Sequence, residues 1–464
     1  MRGRMMQECR YDEDEIYRRL CKIIAPDRIS NNPAELYCSS RDASYIKTAH
    51  PPFSVIRPSS SSEVSEILKV AHEMKVPVTP RGAATGLTGG AVPLHGGIVL
   101  DMTGMDQVIE IDHENMQVLL EPGVIHAGLN EALFEYGLFF PPDPGSSEMC
   151  TIGGMIANDA SGMRSVKYGT TSSYVLGLEV VLPTGEIVNT GSRCFKTSSG
   201  YDLKRLFVGS EGTLGIVTRA RLRLRALPES RYLVLASFET LDGAGSGVVE
   251  VLKSGILPSA CEILDEVAIA AIGLGEKPLI IFELDGMEDE AEIAALKVIE
   301  VCEGLGAECR IVESESEQAE IWDKRRMIGV VITRHKEGSV RVYESEDVIL
   351  PIKNVVRMLR EIERISEKFG IEIITYGHIG DGNLHTAMAI DVQDESEWER
   401  LFKMSEEIYT TALKLGGSIT GEHGVGVIRA SYLKKEHPGS LELMRTIKRA
   451  IDPTGIMNPG KMGL

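Results

Sequence analysis

The chain has 464 residues, a formal charge of −19, and 43% apolar and 25% charged residues. That length fits two or three domains, and the acidity excludes a general nucleic-acid binder, whose surface must be basic. Eight scattered cysteines with no Cys-x-x-Cys spacing exclude a local iron–sulfur motif, a zinc ribbon and a disulfide framework.

The spacing predicts a helix over Asp12 to Ile24, stopped by Pro26. Met1 to Arg10, before it, lacks the apolar stretch of a secretory signal. After a polar stretch, Ser61 and Ser62 can cap a helix over Glu63 to Lys75, with Val64, Ile67, Leu68 and Ala71 on one face. Val76 to Thr79 reads as a strand running into a glycine-rich loop, Arg81 to Gly90. Ile98–Met102 and Val118–Glu121 read as strands, followed by a second glycine-rich region over Pro141 to Gly169. Strands over Val175–Leu182 and Leu214–Leu224 complete a first large domain. From about Ser230 strands (Tyr232–Phe238, Leu279–Leu284) alternate with acidic helices such as Glu288–Cys302, the pattern of helices on a sheet. A helix over Ile352–Phe369 ends at Gly370. Strands Ile371–Thr375 and Leu384–Ile390 flank an Asp381-Gly382 turn, and a long helix covers Glu395 to Leu415. The tail is glycine-rich again, over Gly416–Gly426 and Pro453–Lys461. No run of about 18 apolar residues predicts a membrane span, so a cytoplasmic location is expected.

The first glycine-rich loop is either a tight surface loop or a backbone nest for a pyrophosphate, with Thr85 and Thr88 as added donors. It has neither the Walker lysine nor the G-x-G-x-x-G spacing. A second such segment (Thr151 to Asn158, Gly162, Tyr168-Gly169) and a third (Gly209 to Val217) favour a dinucleotide lying across all of them. His378 and His385 flank the Asp-Gly turn, and Glu422-His423 lie in a loop of glycines. The histidine pair is either structural or two ligands of a divalent ion, with Glu422 as third and a position left open.

Together these stretches resemble the vanillyl-alcohol oxidase/p-cresol methylhydroxylase flavoprotein family over about Pro51 to Met462. The matching subgroup holds D-lactate dehydrogenase, D-2-hydroxyglutarate dehydrogenase and the flavin subunit of glycolate oxidase. The resemblance implies an α+β protein: a two-subdomain FAD-binding domain of the p-cresol methylhydroxylase type, an α/β substrate (cap) domain, and a C-terminal segment returning to the flavin. The implied boundaries are 1–47 (helical segment), 48–228 (FAD-binding), 229–415 (substrate) and 416–464 (return). The cofactor implied is FAD, non-covalent because no histidine lies between Pro80 and Pro93. The implied FAD contacts are Arg81, Gly82, Ala83, Thr85, Gly86, Leu87, Pro142, Ser146, Thr151, Gly154, Asn158, Gly162, Ile216 and Asn458. Glu211 to Ile216 would close over the adenine side, and Lys461 would touch FAD or the active-site wall.

The same resemblance makes His378, His385 and Glu422 the ligands of a divalent metal, zinc first, with manganese and iron as alternatives. It makes His423 the base and Asn383 a substrate hydrogen-bond donor; Asp381 makes the turn. Arg325, three residues after Trp322, would hold the substrate carboxylate, with Arg326 as fallback. The 2-hydroxyglutarate enzymes carry a threonine and a lysine further on. Here those places hold Gly329 and the acidic Glu344–Asp347, which favours D-lactate or glycolate over a dicarboxylate. The implied activity is that of an FAD-linked 2-hydroxyacid dehydrogenase/oxidase acting on CH–OH donors. Hydride would pass to flavin N5 and the 2-oxoacid would form. Electrons would go to a separate acceptor, an iron–sulfur subunit or an electron-transferring flavoprotein. A homo-oligomer, cytoplasmic or peripheral at the inner face of the membrane, is expected. Two other readings remain: a non-redox flavoenzyme like the alkylglycerone-phosphate synthases, and a non-catalytic FAD-binding electron-transfer subunit.

Overall fold

The computed structural model describes residues 11–312, 314–333 and 337–464. Met1 to Arg10, which includes Cys9, and His335 lie outside the described residues. The first unit is a four-stranded sheet in the order Ile29–Ser30, Ser54–Ile56, Ile98–Asp101, Val78–Arg81. The last three strands are parallel, so a crossover must join them. The helix Ser61–Met74 is that crossover, burying Val64, Ile67, Leu68 and Ala71. Its cap is Ser60, one residue earlier than expected, whose hydroxyl accepts from Glu63 N at 3.3 Å. The helix Glu13–Leu20 stops short of the predicted Ile24, because the chain tightens into a turn after Leu20. Ile16, Leu20, Ile24 and Ile29 share the core of this sheet.

The second unit is a five-stranded antiparallel sheet, in the order Val108–Asp112, Gln117–Leu120, Ile216–Arg223, Val175–Val181, Ile187–Gly191. The helices His126–Phe134 and Ile152–Asn158 pack into its core. The second of these falls where the sequence reads as loop. Thr151 Oγ1 caps it by accepting from Gly154 N at 3.2 Å. Gly153 is required there, since a Cβ would lie 2.6 Å from Pro122 Cβ.

The third unit is an antiparallel sheet in the order Glu308–Val312, Ser230–Ser237, Leu279–Gly286, Ala260–Leu264, Ile374–Gly377, Asn383–Ile390, Val340–Val342. Val348–Ile349 also pairs with Asn383–Ile390. The helices Leu241–Lys253, Glu288–Glu303, Val355–Phe369 and Glu395–Lys414 bury their apolar faces in one core on this sheet. The helices Glu266–Ile272 and Glu315–Ile332 build a separate core with it. The strand expected over Ile371–Thr375 forms at Ile374–Gly377 instead, after Gly370 ends the helix in a left-handed conformation. That shift places Tyr376 directly across from His385. The tail returns to the first sheet, where Val78 N donates to Ile456 O and Asn458 N to Val78 O, both at 2.8 Å.

Candidate active site

A cavity of about 750 Å³ lies where the three units meet. One wall is the loop Pro80–Ala91, another the segment Pro144–Ser161, a third the stretch Phe207–Val217. The far end is formed by Arg325 on its helix, by Tyr376, His378 and His385, and by Glu422 and His423.

Eleven of the expected FAD residues line this space: Arg81, Gly82, Ala83, Thr85, Gly86, Leu87, Ser146, Thr151, Gly154, Asn158 and Ile216. The glycine walls fit a large flat ligand, because backbone comes to the surface where a side chain would fill it. A Cβ on Gly82 would overlap Thr151 Oγ1, the hydroxyl that caps the helix Ile152–Asn158. Gly82→Val is therefore expected to displace both walls at an overpacking cost of about 1–3 kcal/mol. The flavin-to-protein absorbance ratio of purified protein should show FAD affinity down by about tenfold or more.

Pro142, Gly162 and Asn458 do not line the cavity. Gly162, at φ +127°, packs where a Cβ would overlap the Asp143 carbonyl, so it shapes the loop behind the wall. Asn458 Nδ2 donates to Gly90 O at 3.0 Å and Glu211 O at 2.7 Å, tying the tail to two cavity loops. Lys461, also behind the wall, donates to Val92 O at 2.6 Å. Glu211 itself accepts from Val425 N at 2.6 Å and Gly426 N at 2.8 Å. It thus anchors the turn after His423.

The histidines and the glutamate do converge. His378 Nε2 lies 3.2 Å, His385 Nε2 3.5 Å and His423 Nε2 3.7 Å from Glu422 Oε1. Each expected ligand histidine is held from behind. His378 Nδ1 lies 2.5 Å from Glu262 Oε1, and His385 Nδ1 lies 3.2 Å from the Glu346 carbonyl. An ionised carboxylate and a carbonyl only accept, so each Nδ1 carries the hydrogen and each Nε2 faces Glu422. Ser161 donates to the other Glu422 oxygen at 3.0 Å.

Burial opposes charge on His378, but Glu262 and Glu422 outweigh it and push its pKa well above the ordinary imidazole range. Burial, then the charge on His378, pulls His385 down to about 3. Burial also lowers His423. Burial works against Glu262 and Glu422, yet the charges beside them, His378 foremost, hold both down to about 2. This donor set fits a divalent ion: two imidazole Nε2 atoms, one carboxylate, and a carboxylate or carbonyl behind each ring. The ion would supply the counter-charge that His378 otherwise carries.

Three residues central to this geometry are not apparent in the sequence. Glu262 is the one acidic residue in a wholly buried strand, and it binds both His378 and Arg325, at 2.8 Å from Arg325 Nε. Asp347 Oδ2 accepts from Gly421 N (2.8 Å), Glu422 N (3.0 Å), His423 N (3.0 Å) and the Thr420 hydroxyl (2.6 Å). Its other oxygen accepts from Asn383 Nδ2 at 2.7 Å. Glu346 pairs with Arg341. Asn383, expected to donate to substrate, instead spends its amide on Asp347 and on Val348 O, and it lies off the cavity wall. Its amide thus touches the carboxylate that holds the Glu422-His423 turn. Arg325 and Arg326 both line the cavity; Arg325 is buried, and Arg326 is paired with Asp323 on the same helix.

The chain belongs to the FAD-linked oxidase family. Its residues 227–462 match the C-terminal domain of FAD-linked oxidases, and residues 52–191 match the FAD-binding domain. It is an FAD-linked oxidoreductase related to glycolate oxidase and D-lactate dehydrogenases. A relative in Bacillus subtilis (strain 168), "Glycolate oxidase subunit GlcD", is 38% identical over 97% of this chain and 96% of that one. A "D-lactate dehydrogenase" of Archaeoglobus fulgidus is 39% identical over 88% of this chain and 91% of that one. Among solved structures, p-cresol methylhydroxylase with substrate bound superposes with a TM-score of 0.83 at 18% identity, covering 97% of this chain and 96% of that one. An alkyldihydroxyacetonephosphate synthase superposes with a TM-score of 0.77 at 20% identity, covering 96% and 85%. These structures share the fold. No described helix is long and apolar enough to cross a membrane.

Proposed function

We propose that this chain oxidises a short 2-hydroxyacid, D-lactate or glycolate, to the 2-oxoacid, with non-covalent FAD and a divalent ion at His378, His385 and Glu422. The observation that carries this reading is the meeting of the His378 and His385 Nε2 atoms on one Glu422 oxygen, in the cavity that the glycine loops line. When bound, the flavin supplies a two-electron acceptor and the ion an electrophile for the substrate oxygen. Arg325 holds the carboxylate, and so orients the α-carbon. His423 is kept neutral by burial and takes the hydroxyl proton at Nε2. Glu262 fixes His378 and Arg325 together, so the metal and carboxylate ends of the site keep one spacing. The names of the relatives support the substrate class. The word "subunit" in one of them supports a separate electron acceptor, which we take to be an iron–sulfur subunit or an electron-transferring flavoprotein.

Turnover of D-lactate or glycolate with an artificial electron acceptor is expected to vanish after dialysis against a chelator. Zinc or manganese should restore it, while FAD content stays constant. Full activity in metal-free protein would reject the metal assignment.

A further inference from the structure

Arg341 lines the cavity and has no role in the account so far. It lies on the strand Val340–Val342, in register with Ala389 of the strand Asn383–Ile390. Cross-strand partners point to one face, and alternate residues share it. Arg341 is therefore on the face that carries His385. Its Nε donates to Glu346 Oε2 at 3.0 Å, and its Nη2 reaches both Glu346 Oε1 and the Tyr376 hydroxyl. Among the described residues, Nη1 has no hydrogen-bond acceptor.

Arg325 repeats this arrangement. Its Nε and Nη2 both donate to Glu262 Oε2, at 2.8 and 2.5 Å. Both guanidiniums lie near one ring, 4.8 Å (Arg325) and 5.7 Å (Arg341) from the Tyr376 centroid. Each is fixed along one edge by a buried glutamate; that leaves the other edge of Arg325, and Nη1 of Arg341, for a planar anion. Gly329 lies one turn beyond Arg325 on the same helix. A Cβ there would stand 2.6 Å from Arg341 Nη1.

We propose that Arg341 joins Arg325 in clamping the substrate carboxylate, and that Gly329 admits it by leaving room for Nη1. This rests on the 2-hydroxyacid reading above. With both guanidiniums turned to one carboxylate, neither is left for a second, so the clamp selects monocarboxylates.

The test uses the FAD-loaded full chain and two variants. Arg341→Lys keeps a cation beside Glu346 but loses the planar fork. Gly329→Ala keeps the Arg341–Glu346 pair but crowds Nη1. Pyruvate, the 2-oxoacid partner of lactate, is titrated into each while the bound-flavin absorption band is followed, and KM and kcat for D-lactate are measured alongside. Both variants should raise the pyruvate dissociation constant and KM by roughly 10- to 100-fold, the worth of one charge-assisted hydrogen bond, with a smaller change in kcat. Values for both variants within about threefold of wild type would overturn the clamp. So would a wild type that binds no pyruvate. A wild type that binds pyruvate through Arg341 but reduces no flavin with any 2-hydroxyacid would leave the clamp standing and sink the functional reading.

Discussion

Replacing His378 or His385 with alanine is expected to slow substrate-driven flavin reduction by at least about 1000-fold, roughly 4 kcal/mol of transition-state stabilisation. FAD should remain bound. The two rings are held by Glu262 and the Glu346 carbonyl, not by the Arg81–Gly90 loop. Each change removes one of the three expected metal ligands, so the metal content measured by elemental analysis should fall with the rate. Glu422→Ala should do the same, since its carboxylate is the point on which both Nε2 atoms converge. Near-normal reduction in either histidine variant would leave the metal reading without support.

Asp347→Asn is expected to be the most damaging substitution that leaves every lining residue in place. The carboxylate is buried and accepts from three successive backbone N–H groups and a hydroxyl through one oxygen. An amide turned either way presents a donor to one set of these donors. Breaking such a buried charged contact costs about 3–5 kcal/mol, and the Glu422-His423 turn would lose its anchor. Urea unfolding should show the loss, and flavin reduction should fall with it. The effect should depend on pH. Burial opposes ionisation of Asp347, but His423 and Arg429 outweigh it and hold the carboxyl well below the ordinary carboxylate range. Its folded pKa is thus below the unfolded value of about 3.9. The stabilisation is complete above about pH 4 and fades as the pH falls through the folded value. The gap between wild type and Asn variant should therefore be widest at neutral pH and should narrow on acidification. A constant gap would contradict this account of Asp347.

The cluster was legible in the sequence as a candidate, because imidazoles and a glutamate sit among glycines; its assignment as a metal site came from the family resemblance. His378 and His385 meet as their spacing across the turn suggested, and Glu422 and His423 join them as the resemblance implied. Their supports were not legible, because support is a matter of distance in space. Glu262 lies 116 residues from His378 along the chain, and nothing local says which group it faces. It did leave a trace: a lone carboxylate in Ala-Cys-Glu-Ile-Leu can be buried only with a partner. Arg325 left a similar one, since it interrupts the buried row Ile321, Trp322, Ile328 and Ile332 on its helix. The acidic run Glu344–Asp347 reads in sequence as the absence of a lysine. In the fold, its Glu346 and Asp347 hold Arg341 and the Glu422-His423 turn. The helix Ile152–Asn158 was hidden because its two glycines disfavour helix locally. They are there for close approach: Gly153 to Pro122, and Gly154 to the Thr151 cap.

The most direct measurement is anaerobic. Purified FAD-loaded protein, with no partner chain and no acceptor, is mixed with D-lactate, L-lactate, glycolate and D-2-hydroxyglutarate in turn, before and after chelation. D-lactate or glycolate is expected to bleach the oxidised-flavin band in a single turnover, D-2-hydroxyglutarate to do so far more slowly, and chelation to abolish the bleaching. An unbleached flavin with all four acids, in protein shown to hold both FAD and metal, would contradict it.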